Sequence, residues 1–283
     1  MHPDYTAGER LADGMVRSKL DIVVRSQNGY PDASKWPSCG ECRFIQAREC
    51  FPSMKRALTT AGLLLKRALA IETRQDRFRR YALMNKWKDG ETLSGPGSTV
   101  NYIENLRKEL PRLFETFRIK SMLDAPCGDY NWMRLVERPE VHYIGGEIVP
   151  ELVEVNNARY ANDNTRFILC DILKDELPAV DLWVCRDVLP HFGYADIFQT
   201  LSNLFRSGDV TYFLTTDHPE QEENIDIRTG SFRAMNVLRE PLCFPEPILW
   251  IDDYIEGYPV RRLGMCDVKS LQTALVENAE YQC

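Results

Sequence analysis

Leu123-Asp-Ala-Pro-Cys-Gly-Asp-Tyr-Asn-Trp-Met133 decides the fold. A short apolar run, Ser121-Met-Leu123, leads into Asp124, a tight turn with Gly128 and a helix start. An acid at a strand end beside a glycine turn forms a ligand crevice at the carboxyl edge of a sheet. Gly128 lets the backbone approach a ligand closely. Pro126 and Tyr130 stand where a glycine-rich loop carries glycine. The turn therefore fits a dinucleotide pyrophosphate poorly and a ligand without phosphates better.

Outward from this turn, apolar runs recur at Tyr143-Ile144, Phe167–Cys170, Leu182–Cys185 and Val210–Leu214. Several are apolar at consecutive positions, as in strands covered on both faces. Helix-period segments lie between them. In 100–117 the apolar residues are Val100, Ile103, Leu106, Leu110, Leu113, Phe114 and Phe117. Pro111 is expected to end one helix and open another. Pro150 is expected to open a helix, and a third should cover Tyr194 to Phe205, ending near Gly208. Strands separated by helices imply an α/β fold: a mostly parallel sheet, helices on both faces, right-handed crossovers.

The chain has 283 residues, enough for one elaborated domain or two small ones. Its 44% hydrophobic and 27% charged residues exclude a disordered, collagen-like or coiled-coil protein. No apolar run approaches the ~18 residues of a membrane span. Met1-His-Pro-Asp-Tyr-Thr6 lacks the apolar core of a signal peptide, and nine cysteines lie scattered, so a reduced, cytoplasmic protein is expected. Cys39, Cys42 and Cys50 have no fourth ligand nearby, since the histidines are at 2, 142, 191 and 218; free thiols and no metal are expected.

The net charge is −7, unevenly spread. Residues 51–90 carry ten Lys/Arg against Glu72, Asp76 and Asp89, which leaves an acidic remainder. That argues against a reader of duplex nucleic acid. Three zones follow: an extension over 1–50, a basic helical segment over 51–90, and an α/β domain over 91–283. The amphipathic stretch 54–69 reads as a helix packed on that domain. Contact with an anionic membrane surface or an anionic partner are its alternative readings.

The turn resembles the first motif of class I S-adenosylmethionine-dependent methyltransferases, Leu-Asp-x-Gly-Cys-Gly-x-Gly, through Leu123, Asp124, Cys127 and Gly128. A subgroup of that family reads Asp-Ala-Pro-Cys-Gly-Asp followed by Asn-Trp-Met, matched here from Asp124 to Met133. It also carries Ser-Gly-Pro-Gly-Ser-Thr, found at Ser94–Thr99, and an earlier Asn-x-Trp, found at Asn85 and Trp87. The resemblance covers about 81–283 and implies a Rossmann-like methyltransferase sheet with S-adenosylmethionine as cofactor.

It also assigns residues. Asp124, Ala125, Pro126, Cys127, Gly128 and Trp132 form the first cofactor turn. Glu147, 23 residues after Asp124, is the acid for the ribose hydroxyls, with Ile148 beside it. Asp171 is the acid for the adenine amino group, with Ile172 against the ring; its other reading is a cap on the turn 171–175. Ser94, Gly95, Gly97 and Ser98 offer a site for the cofactor carboxylate, or form a plain loop. Arg186 lines the methyl-donor pocket. Asp187 and His191 follow the fourth strand and are the catalytic candidates, His191 as a base near neutral pH. Asp217 and His218 compete for that role. The acceptor is expected among loop 85–99, turn 186–192 and the polar stretch 217–231.

The expected reaction is methyl transfer to a small-molecule or glycan acceptor, at a hydroxyl. The Asp/Asn-Pro-Pro-Tyr/Phe signature of amino methylation is absent after the fourth strand, where Arg186-Asp-Val-Leu-Pro190 stands. The rival classes are an NAD(P)-dependent oxidoreductase on a similar sheet and a catalytically inactive fold used as a binding module.

Overall fold

The computed structural model describes residues 53–281. The expected extension 1–50, with its three cysteines, lies outside the described residues. The sheet has seven strands in the order β3-β2-β1-β4-β5-β7-β6. All five expected strands are present: β1 (Ser121–Asp124), β2 (His142–Glu147), β3 (Thr165–Leu169), β4 (Val180–Cys185) and β5 (Val210–Asp217). They pair in parallel. Two further strands, β6 (Leu249–Asp252) and β7 (Arg262–Asp267), add antiparallel to the β5 edge.

Alternation along each strand splits the core in two. Leu123, Trp183 and Phe213 point to one face, where α5 (Tyr194–Ser207) and α6 (Val268–Tyr281) cover them through Ile197, Leu201, Leu204 and Leu271. Met122, Leu182, Val184 and Leu214 point to the other, under Leu106, Leu110 and Leu113 of α3 (Glu104–Thr116). Both faces are thus apolar, which is why the strands read as continuous hydrophobic runs.

Helix boundaries follow local chemistry. Pro150 occupies the first turn of α4 (Pro150–Tyr160), and Gly208 closes α5 in the left-handed conformation at φ 69°. Contrary to the expectation that it ends one helix and opens another, Pro111 lies inside α3. A proline there frees the carbonyl four residues earlier, that of Arg107. Arg107 is exposed, so solvent can satisfy that carbonyl while Leu106, Leu110 and Leu113 hold the helix to the sheet.

The basic segment forms α1 (Ser53–Ala68) and α2 (Arg74–Leu83). Thr73 and Asp76 make a reciprocal capping box that starts α2 at a defined place. The positive charges of α2 are largely matched by acids. Arg79 binds Glu151 of α4, Arg80 and Arg77 bind Glu72, and Arg74 binds Asp171. α1 buries Leu63 and leaves Leu58, Leu64 and Leu65 exposed. No helix of the described residues is long and apolar enough to cross a membrane.

Candidate functional site

A cavity of about 330 Å³ opens at the carboxyl ends of the parallel strands, within the range of small-molecule sites (~300–1,000 Å³). Three acids line it: Asp124 at the end of β1, Glu147 at the end of β2 and Asp171 just after β3. Ser94, Gly95, Gly97, Ser98, Pro126, Cys127, Gly128, Trp132, Ile148, Ile172 and Arg186 line it too, with both catalytic candidates, Asp187 and His191. Of the residues expected to bind cofactor, Ala125 alone is turned away. Its side chain is fully buried in the core, and its carbonyl accepts the indole N–H of Trp183 at 3.0 Å.

The turn after β1 and the loop 91–99 are one construction. Asp129, buried, accepts from the Leu93 backbone at 2.7 Å and the Thr92 hydroxyl at 2.9 Å. Asn131 donates to Glu91 at 2.7 Å and to the Ser98 carbonyl at 3.2 Å. Gly128 has φ 58°, and a Cβ there would overlap the Ser94 hydroxyl, so only glycine admits this closure. Tyr130 holds a left-handed φ of 60° without being glycine; its ring is buried among Tyr143, Tyr160 and Phe167. Trp87 packs over Gly95. The three sequence motifs therefore meet in space.

Two acids are held in an unusual state. Burial pushes both Asp124 and Glu147 up to about 7. Hydrogen bonds oppose this only in part: Tyr143 donates its hydroxyl to Asp124 at 2.7 Å, and the Val149 and Gly128 amides each donate to Glu147 at 3.0 Å. Asp171 is a turn cap that also borders the cavity: it accepts from the Leu173 amide at 3.2 Å and pairs with Arg74.

Beyond the fourth strand lies a buried chain of alternating charge. Asp253 holds Arg186 through two hydrogen bonds of 2.9 and 3.0 Å, and Arg186 reaches the Gly97 carbonyl at 2.5 Å. Arg261 bridges Asp253 at 2.9 Å and Asp187 at 2.6 Å. Burial would raise the Asp187 carboxyl, but Arg261 and Arg186 outweigh it and hold the group below its usual range. Asp187 is thus a fixed, ionised anchor and a weak base. His191 differs. Its Nδ1 lies 2.6 Å from the Ser231 carbonyl. A carbonyl only accepts, so Nδ1 carries the proton and Nε2 is the basic atom. Burial lowers the His191 pKa, which keeps the ring neutral and basic at pH 7.

The competing pair is placed elsewhere. Asp217 is fully buried, accepting from the Val237 amide and from Arg262, each at 2.8 Å. His218 is buried, and its Nδ1 accepts from the Met235 amide at 3.2 Å. Neither lines the cavity, nor does any residue of the expected acceptor stretch 217–231; Phe232, just beyond it, does. Asp226 of that stretch instead caps α5 through the Tyr194 amide at 2.8 Å. Sequence reasoning also missed Arg74, Phe78, Tyr81 and Arg261, all lining residues. The capping box at Thr73 was the one local signal for α2, and nothing in sequence aimed that helix at the site. Among the described residues no cluster suits a metal ion.

No protein-family model matches the chain, and no curated protein sequence matches it. Solved structures similar to it include the mitomycin 7-O-methyltransferase MmcR, at 14% identity and a TM-score of 0.49, covering 67% of this chain and 57% of that one. Human N-acetylserotonin methyltransferase bound to S-adenosylmethionine is similar at 13% identity and a TM-score of 0.45, covering 69% of this chain. The chain spans 56% of that enzyme's length. The methyltransferase domain of a bacterial Hen1 is covered to 100% at 11% identity and a TM-score of 0.44, over 60% of this chain.

Proposed function

We propose that the chain is an S-adenosylmethionine-dependent methyltransferase acting on a hydroxyl of a small-molecule or glycan acceptor. The observation that carries this reading is the convergence of Asp124, Glu147 and Asp171, from three adjacent strand ends, in one cavity with the Ser94–Ser98 loop. Such a set of acceptors suits a ligand with an ammonium, ribose hydroxyls and an adenine amino group. Each of these donates hydrogen bonds to carboxylates, and a carboxylate-lined cleft favours a cation.

The same geometry disfavours a dinucleotide. A pyrophosphate needs free backbone N–H groups at the turn. Here the Gly128 N–H is taken by the Glu147 carboxylate, and three acids would face the phosphates.

In this reading Glu147 takes the ribose, Asp171 with Ile172 the adenine, Asp124 the ammonium, and Ser94–Ser98 the carboxylate. When bound, the cofactor supplies an electrophilic methyl group on a sulfonium. The protein's residues hold the acceptor atom in line and exclude water. Asp187 and Arg261 anchor the acceptor side, and His191 Nε2 takes the hydroxyl proton. The test is calorimetry with S-adenosylhomocysteine and with NAD. Binding of the first and not the second is expected; the reverse overturns the proposal.

A further inference from the structure

Part of the cavity lining is a continuous run of aromatic rings. Phe192 lies against Phe78 at 6.1 Å, Phe78 against Tyr81 at 5.9 Å, and Tyr81 against Trp87 at 6.3 Å. Trp87 then meets the His191 imidazole at 5.2 Å, and His191 meets Phe232 at 5.3 Å. All six line the cavity. They come from α2, from the loop after it, from the turn after β4 and from the segment before β6. The base is thus embedded in an aromatic surface assembled from distant parts of the chain.

Two polar atoms of this wall, the Tyr81 hydroxyl and His191 Nδ1, are already engaged. The Tyr81 hydroxyl donates to the Gly230 carbonyl at 3.1 Å, and His191 Nδ1 donates to Ser231. Lys86 donates to the same Gly230 carbonyl at 3.1 Å while sitting 3.7 Å from the Tyr81 ring centre and 4.6 Å from that of Trp87. What this wall offers a ligand is mainly ring faces and one basic nitrogen, with Asp187 and Arg261 bordering the same cavity. Against the ring faces a sugar would leave the hydroxyls on that side unmatched, at a cost in affinity. A flat apolar ring would gain burial and stacking.

We infer that the acceptor is a phenol: a planar aromatic ring seated on the Trp87 and Phe232 side of the wall, with its hydroxyl at His191 Nε2. The inference rests on the methyltransferase reading and narrows its acceptor class. Acidity agrees with the geometry. A phenol ionises near ~10, as tyrosine does, whereas an aliphatic hydroxyl lies closer to the ~15.7 of water. A neutral histidine is a modest base, so the more acidic phenol is the easier of the two hydroxyls for it to deprotonate. In the step, the O–H proton goes to Nε2, and the oxygen lone pair forms the bond to the methyl carbon. The carbon–sulfur bonding pair goes to sulfur. A methyl aryl ether and a neutral thioether leave, and the imidazolium returns its proton to water.

The test is calorimetry on the full chain saturated with S-adenosylhomocysteine, titrated with phenol, 2-naphthol, a flavonol and methyl glucoside. Product is sought by mass spectrometry with S-adenosylmethionine. At least one phenol should bind and give its methyl ether, and the glucoside should do neither. Phe232 is half-exposed, so Phe232→Ala should fold; it should weaken phenol binding at least tenfold and leave S-adenosylhomocysteine affinity within twofold. Trp87→Leu should weaken phenol binding as well, but because Trp87 packs over Gly95 its effect on S-adenosylhomocysteine affinity is not a control. The inference is overturned if the thioether binds and no phenol does, if the glucoside binds as well as the phenols, or if both variants bind the phenol unchanged. If the wild-type chain fails to bind S-adenosylhomocysteine at all, the methyltransferase reading falls, and this one with it.

Discussion

Glu147 accepts the backbone N–H of Gly128 across 3.0 Å, so the acid that ends β2 and the turn that follows β1 are a single unit. The carboxylate also accepts from Val149 at 3.0 Å, which fixes both its oxygens before any ligand arrives. Pre-set acceptors cost a ligand little ordering on binding.

Glu147→Ala should therefore weaken S-adenosylhomocysteine binding far more than it weakens the fold. Hydrogen bonds to a charged group contribute about 1.5–3 kcal/mol each, and two are at stake, so the dissociation constant should rise roughly a hundredfold or more. Calorimetry on mutant and wild type measures this. An unchanged constant removes Glu147 from the ribose site.

Binding should also depend on pH in a stated direction. Asp124 and Glu147, both buried, sit at about 7 in the ligand-free protein, against ordinary values of 3.8 and 4.5. A ligand that donates to them needs both ionised. Affinity for S-adenosylhomocysteine should rise from pH 5.5 to 8 and level off, gaining up to about tenfold per pH unit for each group below its pKa. Stability of the free protein runs the other way. A folded pKa raised above the unfolded value means that the native state binds protons more tightly. Stability is then full below about pH 4 for these two groups and declines as pH rises towards 7. A flat binding profile with wild-type protein, or an unaltered profile in Asp124→Asn, contradicts the assignment.

The Arg186–Asp253 pair gives a stability prediction. The Arg186 side chain is 3% exposed and that of Asp253 is 0% exposed. Removing one member of a buried pair leaves an uncompensated charge, at about 3–5 kcal/mol. Asp253→Ala should lower the melting temperature by roughly 10 °C. It should also raise the dissociation constant for S-adenosylhomocysteine, because Arg186 holds Gly97 and Ser98 of the loop. The double change Arg186→Met with Asp253→Leu should cost less stability than Asp253→Ala alone. Thermal melts of the three variants decide it.

How much of this was legible in sequence varied with the physics involved. The parallel strands were legible because both of their faces are buried, so Leu182-Trp-Val-Cys185 reads as a continuous apolar run. β6 and β7 were not. Leu249-Trp-Ile-Asp252 is short and half-exposed, and Arg262-Leu-Gly-Met-Cys-Asp267 is interrupted by Gly264, where the Trp250 ring fills the space a Cβ would take. The three acids of the cavity were readable because they follow directly on strand ends. The acceptor side was not, because Phe78, Phe232 and Arg261 come from elements whose place over the sheet is set by long-range contacts such as Arg79–Glu151 and Arg261–Asp187. The polar stretch 217–231 misled: Asp217 is spent on the Val237 amide and Arg262, and Asp226 on the Tyr194 amide.

His191 gives the last prediction. It lines the cavity, which His218 does not, and its Nδ1 is fixed by the Ser231 carbonyl, which leaves Nε2 as the basic atom. Asp187 is tied to Arg261 and held ionised, which makes it a poor proton acceptor. His218 spends its Nδ1 on the Met235 amide outside the cavity. A positioned base contributes about 10²–10⁴-fold in rate. His191→Ala should lower turnover on a methylated acceptor by that order and leave S-adenosylhomocysteine affinity within a few-fold. Because burial lowers its pKa, the acidic limb of the wild-type pH–rate profile should fall below the ordinary histidine value of 6.5, and the variant should lose that limb. His218→Ala should keep the limb. Full turnover in His191→Ala at saturating acceptor, with the limb intact, would move the base to another group.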